Sequence, residues 1–168
     1  MRKWMIAIVA VPLGLAATVY GAGMLLPRDH VVRKEAVIAA PQPAVAALIR
    51  DVANQPRWRP AVERIELRGR EGDVLRYVEH GAEGPIAFAF KETAPDGAFE
   101  SRIDDPDLPF SGSWRIALAP VAAGTRVTIE ERGSVDDPLF RFFGTLVFGH
   151  EGTIDSYLGD LGRAATGG

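Results

Sequence analysis

Three histidines, His30, His80 and His150, carry the side chains best suited to moving a proton near neutral pH. They are scattered along the chain, without a helical His-Glu-x-x-His pair, so no metal site is expected. Cysteine is absent, which removes disulfides, thiolate nucleophiles and cysteine-based zinc sites. There is no Gly-x-Ser-x-Gly elbow, no Walker lysine loop and no dinucleotide glycine fingerprint, and no cofactor is expected. His150 follows Leu139, Phe143 and Leu146 and precedes Ile154 at helical steps, so it shares their apolar face. A histidine so placed most often bonds one core neighbour. The functional alternative is a polar anchor for a ligand, or a general acid or base.

Other polar residues depend on which way their strands face. His80 alternates with Val74, Arg76 and Val78. If that face is inward, Arg76 and His80 are cavity groups; if Leu75, Tyr77 and Glu79 point inward, they are solvated. His30, close to the N-terminal segment, is expected to be exposed. Arg102 alternates with Glu100 and Asp104 on an ordinary solvated face. Glu131 shares the Val127 and Ile129 face but lies near a strand end, where it can reach water. The neighbours Glu130-Glu131 and Asp104-Asp105 point to opposite faces, so neither is a catalytic pair. Trp58 and Trp114 have large apolar areas that suit a core or a cavity wall.

The elements that must position these groups can be read from periodicity. Asp136 and Asp137 are N-cap candidates and Pro138 suits the first helical position. The stripe Leu139, Phe143, Leu146, Ile154, Tyr157, Leu161, Ala164 then predicts a C-terminal helix reaching Ala165, about 43 Å long. Its many glycines mean that it must be held by what it packs against. Upstream come a strand at 30–39, a helix at 41–51, a proline-broken short helix at 54–60, and six strand-like runs. Alternation is clear in Ile86, Phe88, Phe90 and in Trp114, Ile116, Leu118. Short links favour antiparallel hairpins. The expected fold is α+β: a seven-stranded curved antiparallel sheet around a long C-terminal helix, with two short helices after the first strand. One helix cannot fill such a sheet, and the remaining space tends to become a cavity.

Trp4 to Leu26 carries no charge and is long enough to span a bilayer, which needs about 20 residues. Arg2 and Lys3 precede it, so the N-terminus is expected in the cytoplasm and the domain on the extracytoplasmic side. A cleaved signal peptide is the competing reading, with Val19-Tyr20-Gly21 as a passable cleavage pattern; the apolar run past it favours a retained anchor. Residues 1–27 are thus assigned to the anchor or signal, and 28–168 to one domain. Setting Arg2 and Lys3 aside from the 19 basic residues leaves 17 against 22 acidic ones, a formal charge of −5. That argues against a nucleic-acid partner.

The element order and the stretches Val37–Val45, Ile49–Val52, Pro56-Arg57-Trp58, Gly72–Arg76 and Gly124–Thr128 resemble the START/Bet v 1-like (SRPBCC) superfamily, in particular its polyketide cyclase/dehydrase-like group. The resemblance covers about residues 30–165. It implies a helix-grip fold with a deep hydrophobic cavity, whose members bind lipids, sterols, quinones or polyketides; a minority catalyse cyclisation or dehydration. It carries no catalytic signature onto positions of this chain. The residues expected to line the cavity are His150, Phe143, Leu146, Trp114, Phe88, Phe90, Arg76, His80 and Trp58. The expected partners are a hydrophobic small molecule or lipid and, through the N-terminal segment, a membrane. Two alternatives stand beside binding. One is a cyclase/dehydrase-type enzyme using His150 with His80 or Arg76; the other is an interaction module without a ligand.

Overall fold

The computed structural model describes residues 18–82, 84–143 and 152–167. In chain order they form β1 (Asp29–Ile38), α1 (Gln42–Arg50), a 3-10 turn (Val52–Arg57), β2 (Val62–Glu71), β3 (Val74–Gly81), β4 (Gly84–Ala94), β5 (Ala98–Ile103), β6 (Phe110–Val121), β7 (Gly124–Val135), α2 (Pro138–Phe143) and α3 (Gly152–Thr166). The strands make one antiparallel sheet in the order β1-β7-β6-β5-β4-β3-β2. Hairpins join β2 through β7 in succession, and β1 pairs with β7 to complete the sheet. The α+β helix-grip architecture expected from the sequence is therefore the one observed.

The core sits between the sheet's inner face and the helices. Val45, Ala46 and Ile49 of α1 and Ile154, Tyr157, Leu158 and Leu161 of α3 are buried against Ile116, Leu118, Val127 and Ile129. Each large aliphatic side chain buried this way contributes roughly 1.5–3 kcal/mol. The turn between β1 and α1 is pinned to the start of β7. Thr125 Oγ1 donates to the Ala40 carbonyl at 2.7 Å. Gly124 has φ +130°, and a Cβ there would overlap the Ile38 carbonyl oxygen, so only glycine fits.

The C-terminal stripe is obeyed in one part and broken in another. Asp137 caps α2 as expected, accepting from the Leu139 and Phe140 amides at 2.8 and 3.2 Å. In α3, Ile154, Tyr157 and Leu161 are buried. In α2, however, Leu139 and Phe143 are 40% and 45% exposed, and the buried residue is Arg141. The reason is a local polar demand: Arg141 donates from Nη1 to the Leu26 carbonyl at 3.1 Å and from Nη2 to the Asp136 carbonyl at 3.4 Å. Those bonds turn Arg141 inward and rotate the apolar stripe outward. Residues 144–151, with Leu146 and His150, lie outside the described residues.

Residues 18–25 are helical. Among the described residues no helix is long and apolar enough to cross a membrane; residues 4–17 of the expected span lie outside them.

Candidate ligand cavity

A cavity of about 430 Å³ opens between the inner face of the sheet, α3 and α2. That is in the range of ligand pockets, roughly 300–1,000 Å³. It exists because inward positions of β5, β6 and β7 carry small side chains. Gly112 of β6 lies directly across from Gly133 of β7, and Ser101 of β5 lies across from Trp114. Little side-chain volume stands between these positions and the helices. The apolar wall is made by Ile86, Phe88 and Phe90 of β4, Ile103 of β5 and Ile116 of β6, with Phe140 of α2 at another side. Rings stack along that wall: Phe88 on Tyr77 at 5.5 Å and Phe90 on Phe99 at 5.8 Å between centroids.

Two polar clusters face the same space. The first spans β1, β7 and β6. Trp114 and Glu131 are cross-strand partners, and the indole Nε1–H donates to Glu131 Oε2 at 2.6 Å. The other carboxylate oxygen lies 3.2 Å from His30 Nε2. The His30 ring rests over Gly133, its own cross-strand partner, where any Cβ would overlap the imidazole. Glycine at that position is what lets the ring reach Glu131.

The second cluster joins the segment after the 3-10 turn to β3. Arg59 Nη1 and Nη2 donate to Glu79 Oε2 and Oε1 at 2.7 and 3.1 Å, a two-pronged pairing that holds both planes fixed. Arg59 Nη1 also donates to Gln55 Oε1 at 2.7 Å, while the buried Gln55 amide donates to the Ile49 carbonyl at 3.3 Å. The guanidinium lies 5.3 Å from the centre of the Tyr157 ring. Tyr157 is gripped edge-on between Trp58 and Trp114, at 5.5 and 5.4 Å. Burial pushes the Tyr157 phenol well above its ordinary range. Burial likewise pushes Tyr77 up to about 12, with Glu79 adding to the rise and a Ser101 hydrogen bond opposing it. Both phenols stay protonated across the neutral range and can donate hydrogen bonds.

Of the residues expected to line the cavity, Trp114, Phe88 and Phe90 do so. Trp58 stands behind Tyr157, beside α1 and the end of α3, and lines a separate surface groove with Ala44, Leu48 and Ala165. Arg76 and His80 are on the outer face: the inward residues of β3 are Tyr77 and Glu79. Arg76 pairs with Asp104, and His80 lies between Arg64, 3.2 Å away, and Glu66, 3.4 Å away. Phe143 points to solvent, for the reason given by Arg141. His150 and Leu146 lie outside the described residues. The enzyme reading that paired His150 with His80 or Arg76 therefore loses two of its three groups. Arg102 pairs with Asp104 at 3.2 Å on the outer face, as expected.

His30, expected to be exposed, corrects its assignment in the other direction, while Glu131 stays on the inward face it shares with Val127 and Ile129. Both face the cavity, their side chains only 21% and 17% exposed. Arg59, Gln55, Glu79 and Tyr157 were not singled out as site residues. Tyr157 was already on the buried stripe, and its hydroxyl was the available signal.

A curved antiparallel sheet gripping a C-terminal helix around a lined cavity defines a START/Bet v 1-like domain. Residues 29–165 match the family of polyketide cyclase/dehydrase and lipid transport proteins, and the chain belongs to that family. No curated protein matches the sequence. Among solved structures, the di-domain ARO/CYC StfQ from the steffimycin biosynthetic pathway superposes with a TM-score of 0.68 at 10% identity, over 82% of this chain. The chain spans only 50% of that protein. Norcoclaurine synthase from Thalictrum flavum, in complex with dopamine and hydroxybenzaldehyde, gives 0.66 at 12% identity, over 83% of this chain and 87% of that one. A START superfamily protein from Mycobacterium smegmatis gives 0.63 at 16%, over 82% and 98%. At these identities the likeness establishes the fold.

Proposed function

We propose that the protein binds a hydrophobic small molecule in the cavity between sheet and helix. The observation that carries this reading is the cavity itself: about 430 Å³, with an aromatic and aliphatic wall and its charged groups gathered in two self-paired clusters. Phe88, Phe90 and Trp114 line the space instead of filling it, which argues against a ligand-free module. The test is uptake of Nile red, a neutral apolar dye, by the purified full chain, together with native mass spectrometry after gentle extraction. Saturable dye binding, or a co-purified apolar molecule, is expected. No uptake and no adduct would overturn the reading.

A second reading, turnover of the bound molecule, is supported by the His30–Glu131 pair inside the cavity. An imidazole held by a carboxylate is suited to taking a proton from a carbon next to a carbonyl. The names of the ARO/CYC and norcoclaurine synthase relatives support it as well.

The tether is part of the same proposal. The uncharged run Trp4–Leu26 behind Arg2 and Lys3 would hold the domain at a membrane, on the extracytoplasmic side, close to a source of apolar ligands. A reporter fused after Gly168 should be active only in the exported compartment; activity in the cytoplasm would refute it.

A further inference from the structure

We infer that the cavity is built for a neutral amphiphile, one bearing a hydroxyl or carbonyl on an apolar body, and excludes anionic ones such as carboxylates. The inference rests on the ligand-binding reading above and narrows it to a chemical class. Among the described lining residues the charged groups are Arg59, Glu79 and Glu131, with the His30 imidazole beside Glu131. The Arg59 charge is already spent, because both of its terminal nitrogens bind Glu79. Glu131 is held by an indole N–H, which is neutral, and by His30. The carboxylates of Glu79 and Glu131 thus outnumber the one guanidinium, and the His30 ring is already at Glu131. The described residues offer no uncommitted positive charge to an incoming carboxylate.

An anion entering this space would lose its water without gaining a partner, and it would face the Glu131 charge as well. A cation fares little better, since both Glu131 oxygens already have a donor. A neutral hydroxyl or carbonyl meets what the walls can give: the Tyr157 phenol and the linked hydroxyls of Tyr77 and Ser101.

Matched probes test this on the full chain by calorimetry at pH 8: 2-naphthol against 2-naphthoate, and dodecan-1-ol against dodecanoate. The alcohol of each pair should bind at least tenfold tighter than its acid. Glu79→Gln keeps the shape but frees the Arg59 charge, and it should raise affinity for the acids about tenfold. Should that variant unfold, Glu131→Gln, which can still accept from Trp114, should narrow the alcohol–acid gap instead. Acids binding as well as alcohols would overturn the inference and leave ligand binding intact. Failure of all four probes would overturn the ligand-binding reading itself.

Discussion

The two polar walls of the cavity solve the same problem differently. On the β3 side, Glu79 is neutralised by a two-pronged bond to Arg59, itself braced by Gln55 and by the Tyr157 ring. On the β7 side, Glu131 is held by an indole N–H and an imidazole. The first wall is a closed ion pair whose parts satisfy each other. The second keeps a carboxylate held by two ring nitrogens, with no guanidinium to pair it. The difference teaches where stability and where selectivity reside. Breaking the ion pair strands a half-buried charge, whereas altering Glu131 mainly changes what the cavity admits.

Both walls lean on α3, so the largest effect comes from loosening that helix. Leu161 is fully buried there, and Leu161→Ala should cost roughly 2–5 kcal/mol, read from denaturant midpoints. Ser156→Ala, on the exposed side of α3, should cost much less; similar small losses at both positions would remove α3 as the shared support. Next in size is Arg59→Met, which leaves Glu79 unpaired. With the pair's side chains 15% and 20% exposed, about 2–3 kcal/mol is expected, less than for a fully buried pair. Trp114→Phe removes one donor from Glu131 while keeping most of the apolar contact with Tyr157. About 1–2 kcal/mol is expected, and a loss as large as that of Arg59→Met would erase the contrast between the walls.

At neutral pH the last effect is silent, and it emerges only in alkali. The Tyr77 phenol is raised to about 12 in the folded chain, above its ordinary value near 10. Folding therefore favours the protonated phenol. That contribution is complete below about pH 10 and is lost as pH rises through about 12. Alkaline titration at 295 nm should show a late phenol that Tyr77→Phe removes; a change in the early part of the curve instead would contradict the burial argument.

Much of this fold was legible because alternation and caps are local. Ile86, Phe88, Phe90 and Trp114, Ile116, Leu118 declared their inward faces, and Asp137-Pro138 declared a helix start. The site was less legible because it depends on register and on which face wins. In β3 both faces mix apolar and charged residues, so Arg76 and His80 could not be told from Tyr77 and Glu79. His30 and Glu131 stand at the start of one strand and the end of another, where each alone suggests exposure. Only the β1–β7 pairing, with Gly133 under the imidazole, brings them together. The α2 stripe misled because Arg141, a residue that periodicity places outside, has backbone carbonyls to satisfy on the inside.

The most direct measurement of whether the cavity is the binding site uses a glycine in its lining. A Cβ added at Gly112 would meet Arg132 O and Ile103 Cδ1 at 3.6 Å, ordinary contact distances, so a larger side chain there can extend into the cavity. Gly112→Phe should keep the melting temperature within a few degrees while abolishing saturable Nile red binding. Dye binding unchanged in a folded Gly112→Phe chain would place the ligand elsewhere and contradict the cavity as the functional site.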